Sequence, residues 1–335
     1  MDSTPLICDY GSGFSKVGFA GMESPVGVFP TVLGKLWHDN VLVGTEEKDW
    51  FIGEEVQKNR GKLNLQYPIS RATITNLDNM EQIWHHSFYQ VLRIAPEQHP
   101  MLLTEPPLTP APSKEKVTQV LFETFNIPAL YLANQGVLSL YASGQTSGMT
   151  IESGEGMTYF VPITDGCPLH QSTFQMDIAG QDLTTYLLKL LKDNGQLLVS
   201  TGKTTPGIHT MAFQSITSCN PDLQKVLFGH MLLSGGTGSC PGLRLRMQRE
   251  ISELVSPTVY VKSVIPPSDP TSFLDVDFGV RSTHNLRFFE RTDQLPTETS
   301  SLPSVPRGLS ELRATSAPAQ GPLFSKPLGT WINGE

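Results

Sequence analysis

Two short segments of the chain share one pattern, an acidic residue followed by x-Gly-x-Gly. The first covers residues 9–13 with the sequence DYGSG, and the second covers residues 152–156 with the sequence ESGEG. The two segments lie about one domain length apart. This repetition indicates two related halves whose turns face each other.

The residue types in these turns suit the binding of a polyphosphate. Glycine lets the backbone approach a ligand closely and adopt positive φ angles, and we expect both properties here. Successive N–H groups of such a turn form a concave anion site. Ser12 adds a hydroxyl donor, and Lys16 adds a positive charge for the phosphate groups.

The acidic residues of the two turns require a cation if phosphate binds there. Asp9 and Glu152 would repel a phosphate that they faced directly. A hydrated Mg²⁺ between them removes this conflict, because Mg²⁺ keeps most of its waters. A third Gly-rich turn, over residues 233–238, suits close approach to a nucleoside. The alternative is that each Gly-x-Gly is only a hairpin turn without a ligand.

The elements that must position these turns are predicted from the hydrophobic pattern. Runs of β-forming residues around the first two turns predict hairpins over residues 5–20 and 148–163. A buried strand over residues 228–234 leads into the third turn. Helical periodicity predicts further elements at residues 75–93 with Asn76 as N-cap, after Ser113, at residues 135–143 and 181–194, and from Pro241 at a helix N1 position. In the helix over 181–194 we expect Leu183, Leu187, Leu190 and Leu191 to point inward.

Composition and charge exclude several functional classes. With 335 residues, 39% hydrophobic and 17% charged, the chain can form two domains with cores of their own. A formal net charge of -8 disfavours nucleic acid as a partner, and no apolar run is long enough to predict a membrane span. The four cysteines are scattered without a C-x-x-C pair, and residues 1–5 do not resemble a signal peptide. These features together predict a cytoplasmic location.

The last part of the chain has a different composition. Residues 296–327 are rich in Pro, Ser and Thr and lack helical or strand periodicity. Such a segment cannot bury enough apolar surface to offset its ordering entropy. We therefore predict that residues 271–335 form a disordered tail.

The motifs around the three turns resemble those of the actin family. DYGSGFSKVGFAG resembles the first phosphate loop of actin, IESGEGMTYFVPI resembles the second, and LSGGTGSCPG is similar to the adenosine-side turn. The similarity extends through YPISRATITNLDNMEQIWHHSFYQVLRIAPEQHPMLLTEPPL and FETFNIPALYLANQGVLSLYASG. HDNVLVGTEEKDWFIGEE is similar to the loop that actin uses to contact its neighbour.

The resemblance implies an α/β fold of two ribonuclease H-like halves around a cleft that binds ATP or ADP with Mg²⁺. It places the first domain at residues 1–134, with the neighbour-contact loop near 38–49, and the second at residues 135–270. By residue matching it assigns nucleotide contacts to Asp9, Gly11, Ser12, Gly13, Lys16, Ser153, Gly154, Glu155, Gly156, Gly235, Gly236 and Thr237. Gln135 inherits the positioning of the attacking water, and Asp9, Gln135 and Glu152 inherit contacts to Mg²⁺ through water.

Several positions depart from the actin pattern. Glu152 and Glu155 stand where actins have Asp, and one extra methylene shifts each carboxylate by about an ångström. Tyr159 stands where actins have a histidine of the catalytic site, and a phenol does not relay protons as imidazole does. Arg71 replaces a histidine that actins commonly methylate.

Two blocks of the actin pattern are absent from the chain. The pattern jumps near residues 202–206, where most of one subdomain would lie, with the lysine and glutamate that contact the base. It also ends near Pro270, so the second half is incomplete and the carboxyl-terminal helices have no counterpart.

Three functions remain open from the sequence. The first is an actin-like cytoskeletal protein that binds ATP and Mg²⁺, hydrolyses ATP weakly or not at all, and forms no filaments alone. Its partners would be nucleotide, actin or actin-binding proteins. The second is a pseudo-actin interaction module that works without nucleotide, and the third is a truncated product that folds only in part.

Overall fold

The computed structural model describes residues 4–22, 24–36, 50–192, 207–264 and 329–332, and within them the chain alternates strands and helices. The strands are β1 (Leu6–Tyr10), β2 (Phe14–Phe19), β3 (Gly27–Pro30), β4 (Leu33–Leu36), β5 (Phe51–Ile52), β6 (Leu63–Gln66), β7 (Ile69–Ser70), β8 (Thr73–Ile74), β9 (Met101–Glu105), β10 (Leu130–Asn134), β11 (Gly148–Ser153), β12 (Thr158–Thr164), β13 (Cys167–Pro168), β14 (Phe174–Met176), β15 (Met231–Ser234), β16 (Ser263–Val264) and β17 (Gly329–Ile332). The helices are α1 (Glu54–Asn59), α2 (Leu77–His85), α3 (Ala111–Glu123), α4 (Gln135–Ala142), α5 (Gly180–Lys192), α6 (Ile208–Thr217), α7 (Pro221–Gly229), α8 (Gly235–Gly238) and α9 (Leu243–Leu254).

Two six-stranded sheets of related topology form the two halves. The first has the order β17-β10-β9-β1-β2-β3, and the second has the order β13-β12-β11-β15-β16 with β14 also paired to β12. In each sheet an antiparallel hairpin, β1–β2 or β11–β12, is continued by strands that run parallel to the first strand of that hairpin. This correspondence between the sheets agrees with the internal repetition of the sequence.

Helix α4 lies between the two sheets and connects them. Its buried residues Val137, Leu138, Leu140 and Tyr141 belong to one apolar cluster with Ile7, Leu102 and Tyr131 of the first sheet and Tyr159, Val161 and Ile163 of the second. The Asn134 side chain caps the helix by accepting from the Val137 amide at 3.3 Å. The boundary that we place between residues 134 and 135 thus falls where β10 passes into α4, and it stays a prediction.

The structure confirms both predicted hairpins and the helix that begins after Asn76. The Asn76 side chain accepts a hydrogen bond from the Asn79 amide at 2.9 Å, as an N-cap residue should. Met80, Ile83 and Trp84 then point into the core of the first half. After His85 the helix continues as a π-helix over His86–Leu92.

Three boundaries, two in the second half and one in the first, differ from prediction because local start signals were misplaced. Phe228 lies in α7, which is capped by Asn220 and starts at Pro221, so the strand begins only at Met231. Pro241 is not at N1, because Gly242 with φ 84° is the N-cap of α9. In the first half, α3 begins at Ala111, before Ser113.

The inward orientation that we expected for α5 is wrong where the structure describes its side chains. Leu183 is 47% exposed and Leu187 is 56% exposed. An amphipathic pattern shows which side chains share a face, but a face becomes buried only if another element packs over it. The side chains of Leu190 and Leu191 lie outside the described residues.

One strand lies in the segment for which we predicted disorder. Residues Gly329–Ile332 pair antiparallel with β10 and extend the first sheet at its edge. Backbone pairing over four residues does not require an alternating hydrophobic pattern in the sequence. The composition of the segment therefore did not predict this strand. Several predictions fall outside the described residues. They concern the remainder of that segment, the neighbour-contact loop at 38–49 and the shortened region at 202–206.

Within the described ranges, no helix has the length and apolarity to span a membrane.

The exposed cap of α2 allows a test of this local structure. Replacing Asn76 by Ala should lower the free energy of unfolding by about 1 kcal/mol, because the Asn79 amide loses its acceptor. Chemical denaturation of the full chain measures the change. Asn76→Ser, which restores a capping oxygen, is the matched control and should recover most of the loss. An equal loss in both variants would contradict the assigned cap.

Candidate functional site

The turns of the two hairpins meet face to face across the gap between the sheets. A Cβ added at Gly13 would lie 3.1 Å from Cβ of Glu155, and a Cβ added at Gly156 would lie 2.6 Å from Oγ of Ser12. These glycines are therefore needed for close approach of the two turns. The positive φ that we expected of the glycines in these two turns is wrong, because none of Gly11, Gly13, Gly154 and Gly156 adopts it.

The backbone of both turns offers unused donors. Among the described residues, the amides of Ser12, Gly13, Glu155 and Gly156 donate to no other group. Turn amides without an internal acceptor can converge on an anion. The geometry therefore supplies donors from both halves at one place.

Asp9 lies in the gap between the two sheets, and three donor groups contact its carboxylate. Its Oδ1 accepts from the Thr104 hydroxyl at 2.6 Å and from Nε2 of Gln135 at 3.1 Å. Its Oδ2 lies 3.4 Å from Nζ of Lys16. Strands β1, β2 and β9 and helix α4 thus fix the orientation of this carboxylate together.

Glu152 occupies the corresponding position at the end of β11. Its Oε1 accepts from Oγ of Ser139 at 3.0 Å and from Oγ of Ser234 at 3.3 Å. Tyr159 pairs with Glu152 across the β11–β12 hairpin. Burial, followed by the charges of Glu152 and Asp177, raises the pKa of Tyr159 to about 12. The phenol therefore keeps its proton at neutral pH.

The third Gly-rich turn packs directly against the second hairpin. Gly235 has φ 81°, and a Cβ added there would lie 2.4 Å from the carbonyl oxygen of Ser153. The Thr237 hydroxyl donates to the carbonyl of Gly154 at 2.8 Å. The glycine at this position thus allows close packing against the second hairpin, whereas the predicted approach of the turn to a nucleoside stays a prediction.

These three turns enclose a single cleft of about 430 Å³. All the residues predicted from the sequence to contact nucleotide or Mg²⁺ line it: Asp9, Gly11, Ser12, Gly13, Lys16, Gln135, Glu152, Ser153, Gly154, Glu155, Gly156, Gly235, Gly236 and Thr237. The pocket is thus built from both halves and from the junction helix α4.

The structure adds polar residues that the sequence reasoning missed. Thr104, Ser139 and Ser234 also line the cleft, and each donates to one of the two carboxylates. Thr104 and Ser234 stand at or near the ends of strands next to the hairpins, which is the local signal that could have identified them. Nothing in the sequence around Ser139 distinguishes it from other helical serines.

The donor set suits a hydrated cation better than a directly coordinated one. In the part of the chain that the structure describes, no group of three or more His, Cys, Asp or Glu residues could hold a metal ion. Mg²⁺ binds proteins through few carboxylates and keeps several waters. Asp9, Gln135 and Glu152 fit that outer role, because they offer two carboxylates and an amide around one cleft.

A comparison with known protein families shows to which family the chain belongs. The family model for actin matches residues 1–201 and 195–272 of the chain. The chain belongs to the actin family. The mixed α/β architecture with its two related sheets fits an actin-like fold. Within this actin-like protein, the three turns that resemble actin motifs are those that line the cleft.

The third turn provides a direct test of the cleft geometry. Gly235→Ala should lower the free energy of unfolding by more than about 1 kcal/mol, because Ala disfavours φ 81° and its Cβ would collide with Ser153. Thermal or chemical unfolding of the full chain measures the loss. Gly236→Ala is the matched control, since a Cβ there meets nothing within 4 Å. Equal effects of the two substitutions would contradict this geometry.

Proposed function

We propose that this actin-like protein binds ATP or ADP with Mg²⁺ in the cleft between its two halves. The observation that carries the proposal is the convergence of two acidic Gly-x-Gly turns, with free amides on both, on one cavity of about 430 Å³. A binding site for a charged small molecule usually combines a formed cavity with a few convergent polar groups.

The residues divide into three roles in this proposal. The amides of Ser12, Gly13, Glu155 and Gly156, with Nζ of Lys16, hold the phosphates. Asp9, Gln135 and Glu152 orient the waters around Mg²⁺, which when bound neutralises phosphate charge. The turn over residues 235–237 approaches the nucleoside.

The charges of the cleft support a nucleotide that arrives with its cation. Asp9, Glu152 and Glu155 line the cleft, whereas Lys16 is the one Lys or Arg among the described lining residues. Three carboxylates near one ammonium would repel a bare triphosphate at short range. The cation therefore contributes to affinity, and metal-free nucleotide should bind less tightly.

Binding is proposed to be weaker than in a complete actin, and hydrolysis slow. We infer from the interrupted resemblance near residues 202–206 that the chain lacks the base-contacting lysine and glutamate of the family. Nε2 of Gln135 already donates to Asp9, and the pKa of Tyr159 is raised to about 12, so the phenol is a poor proton relay. General acid–base assistance contributes about 10²–10⁴-fold to rate, and its loss would leave turnover close to background.

Substitution of the cleft charges tests the binding mode. Asp9→Asn should weaken Mg-ATP binding by about tenfold or more, because a charged hydrogen bond contributes about 1.5–3 kcal/mol. In EDTA the same variant should bind ATP no more weakly than the parent, because one repulsive charge has been removed. Lys16→Ala should weaken binding under both conditions. Equilibrium affinity and ligand-induced thermal stabilisation of the full chain report these effects.

Lys225→Ala is the control for a charge removed outside the cleft, because Lys225 is exposed on α7. Its affinity should equal that of the parent chain. Unchanged Mg-ATP affinity in both Asp9→Asn and Lys16→Ala would contradict the assigned site. An absence of any nucleotide-dependent stabilisation in the folded parent would instead favour the interaction module that works without nucleotide.

We further predict that the chain forms no actin-type filaments alone. Propagation of a head-to-tail contact needs both of its surfaces, and we infer from the end of the resemblance near Pro270 that the chain lacks the carboxyl-terminal helices that complete the receptor surface in the family. Sedimentation with Mg-ATP and salt, run with a phosphate-release assay, should show a soluble chain and near-background release. Pelleted filaments of this chain alone would contradict the first expectation. Release at actin-like rates that Gln135→Ala abolishes would contradict the second.

Such a protein would act in the cytoplasm with the cytoskeleton, through actin or actin-binding proteins. The support is family membership together with the preserved architecture of the first half. A folded chain with a nucleotide cleft but no filament activity would serve as a binding partner of these proteins. A product that folds only in part would instead give no cooperative unfolding transition.

A further inference from the structure

A direct connection between the two halves lies beside the cleft, at the tip of the β7–β8 hairpin. Arg71 and Ala72 form this tip in the first half, and both have left-handed backbone angles, with φ 49° and 57°. Two consecutive non-glycine residues in that region are uncommon and unfavourable without compensating contacts. The pairing of the hairpin supplies part of this compensation, because a two-residue hairpin turn favours positive φ at both positions, and the contacts of the tip add to it.

The Arg71 side chain reaches from the first half into the second. Its Nη1 and Nη2 each lie 2.6 Å from a carboxylate oxygen of Asp182 at the start of α5, so the pair is bidentate. Nη1 also lies 2.6 Å from the carbonyl oxygen of Asp177 and 3.1 Å from that of Gly156, and because Nη1 carries two hydrogens, one of them is shared between two acceptors. The guanidinium therefore binds both the second phosphate turn and the helix that follows it.

The neighbouring backbone connects the same tip to the first phosphate turn. The Ala72 amide donates to Oγ of Ser12 at 3.1 Å. On the other side, the amides of Gly180 and Gln181 donate to the carbonyls of Gly154 and Glu155, each at 2.9 Å. The tip thus connects the first turn, the second turn and the start of α5 in one continuous set of hydrogen bonds.

We propose that Arg71 and Asp182 form an interdomain clasp that holds the two phosphate turns at a fixed separation whether or not a ligand is present. We use "clasp" for the Arg71–Asp182 pair together with the bonds from Arg71 to the carbonyls of Asp177 and Gly156. The role is one of positioning, because Arg71 is not among the residues that line the cleft. The proposal goes beyond nucleotide binding and does not depend on it.

The chemistry of the pair suits this role. A planar guanidinium matches a carboxylate in two parallel bonds, which adds geometric specificity that a lysine lacks. Hydrogen bonding to Asp182 raises the pKa of Arg71, and hydrogen bonding from Arg71 lowers the pKa of Asp182. Both groups therefore stay charged at neutral pH. Because the two side chains are 38% and 32% exposed, salt should weaken the pair.

Amide hydrogen exchange of the nucleotide-free full chain tests the clasp. In Arg71→Ala, the amides of Ala72, Gly180 and Gln181 should exchange at least about tenfold faster than in the parent. Exchange in β9 and β10 should stay the same, because these strands make no contact with Arg71. Arg71→Lys should be intermediate, since it keeps the charge but loses the bidentate geometry. Added salt should accelerate exchange at the same three amides in the parent.

Two further variants keep the test decisive. Arg246→Ala removes an exposed arginine from a simple helical pair with Glu250, and it should leave exchange at the three amides unchanged. If Arg71→Ala does not fold, Asp182→Asn keeps the side-chain shape without the charge and should still accelerate exchange at the same amides. Parent-like exchange in the folded variants, or a uniform increase through the whole chain, would overturn the proposal.

Discussion

The architecture depends on one buried helix that two sheets share. Helix α4 packs β1 and β10 of the first half against β12 of the second, in a single apolar cluster. Burial of each large apolar side chain contributes about 1.5–3 kcal/mol, so this cluster strongly restricts how the halves can be placed. Because each Gly-x-Gly turn is continuous with a strand of that cluster, the position of the helix also determines the distance between the turns.

The packing of the two halves brings two negatively charged carboxylates into the same cleft. Asp9 and Glu152 stand at equivalent positions of the two hairpins, and each requires its own donors once the halves are packed. Thr104, Gln135 and Lys16 supply these donors to Asp9, and Ser139 and Ser234 supply them to Glu152. These residues come from four elements, so both halves contribute to the orientation of the carboxylates.

The second half combines a well-packed sheet with a helix that has an open apolar face. The β11–β15 core is covered by α6, α7 and α9, whose buried residues form one cluster. By contrast, Leu183, Tyr186 and Leu187 of α5 are about half exposed. The same helix carries Asp182, whose ion pair with Arg71 attaches the first turn of the helix to the first half. An ion pair and apolar packing respond differently to salt.

The sequence by itself determined the local elements and the identity of the turns. A hairpin or a helix cap depends on residues a few positions apart, so the DYGSG and ESGEG turns and the Asn76 cap were readable without a structure. Tertiary structure alone decided which partners these elements meet. It replaced the expected positive φ of Gly13 and Gly156 by a requirement for close approach, and it left Leu187 exposed. The pairing of Arg71 with Asp182 joins residues 111 positions apart, and no local pattern can specify a contact that exists only after both halves have packed on α4.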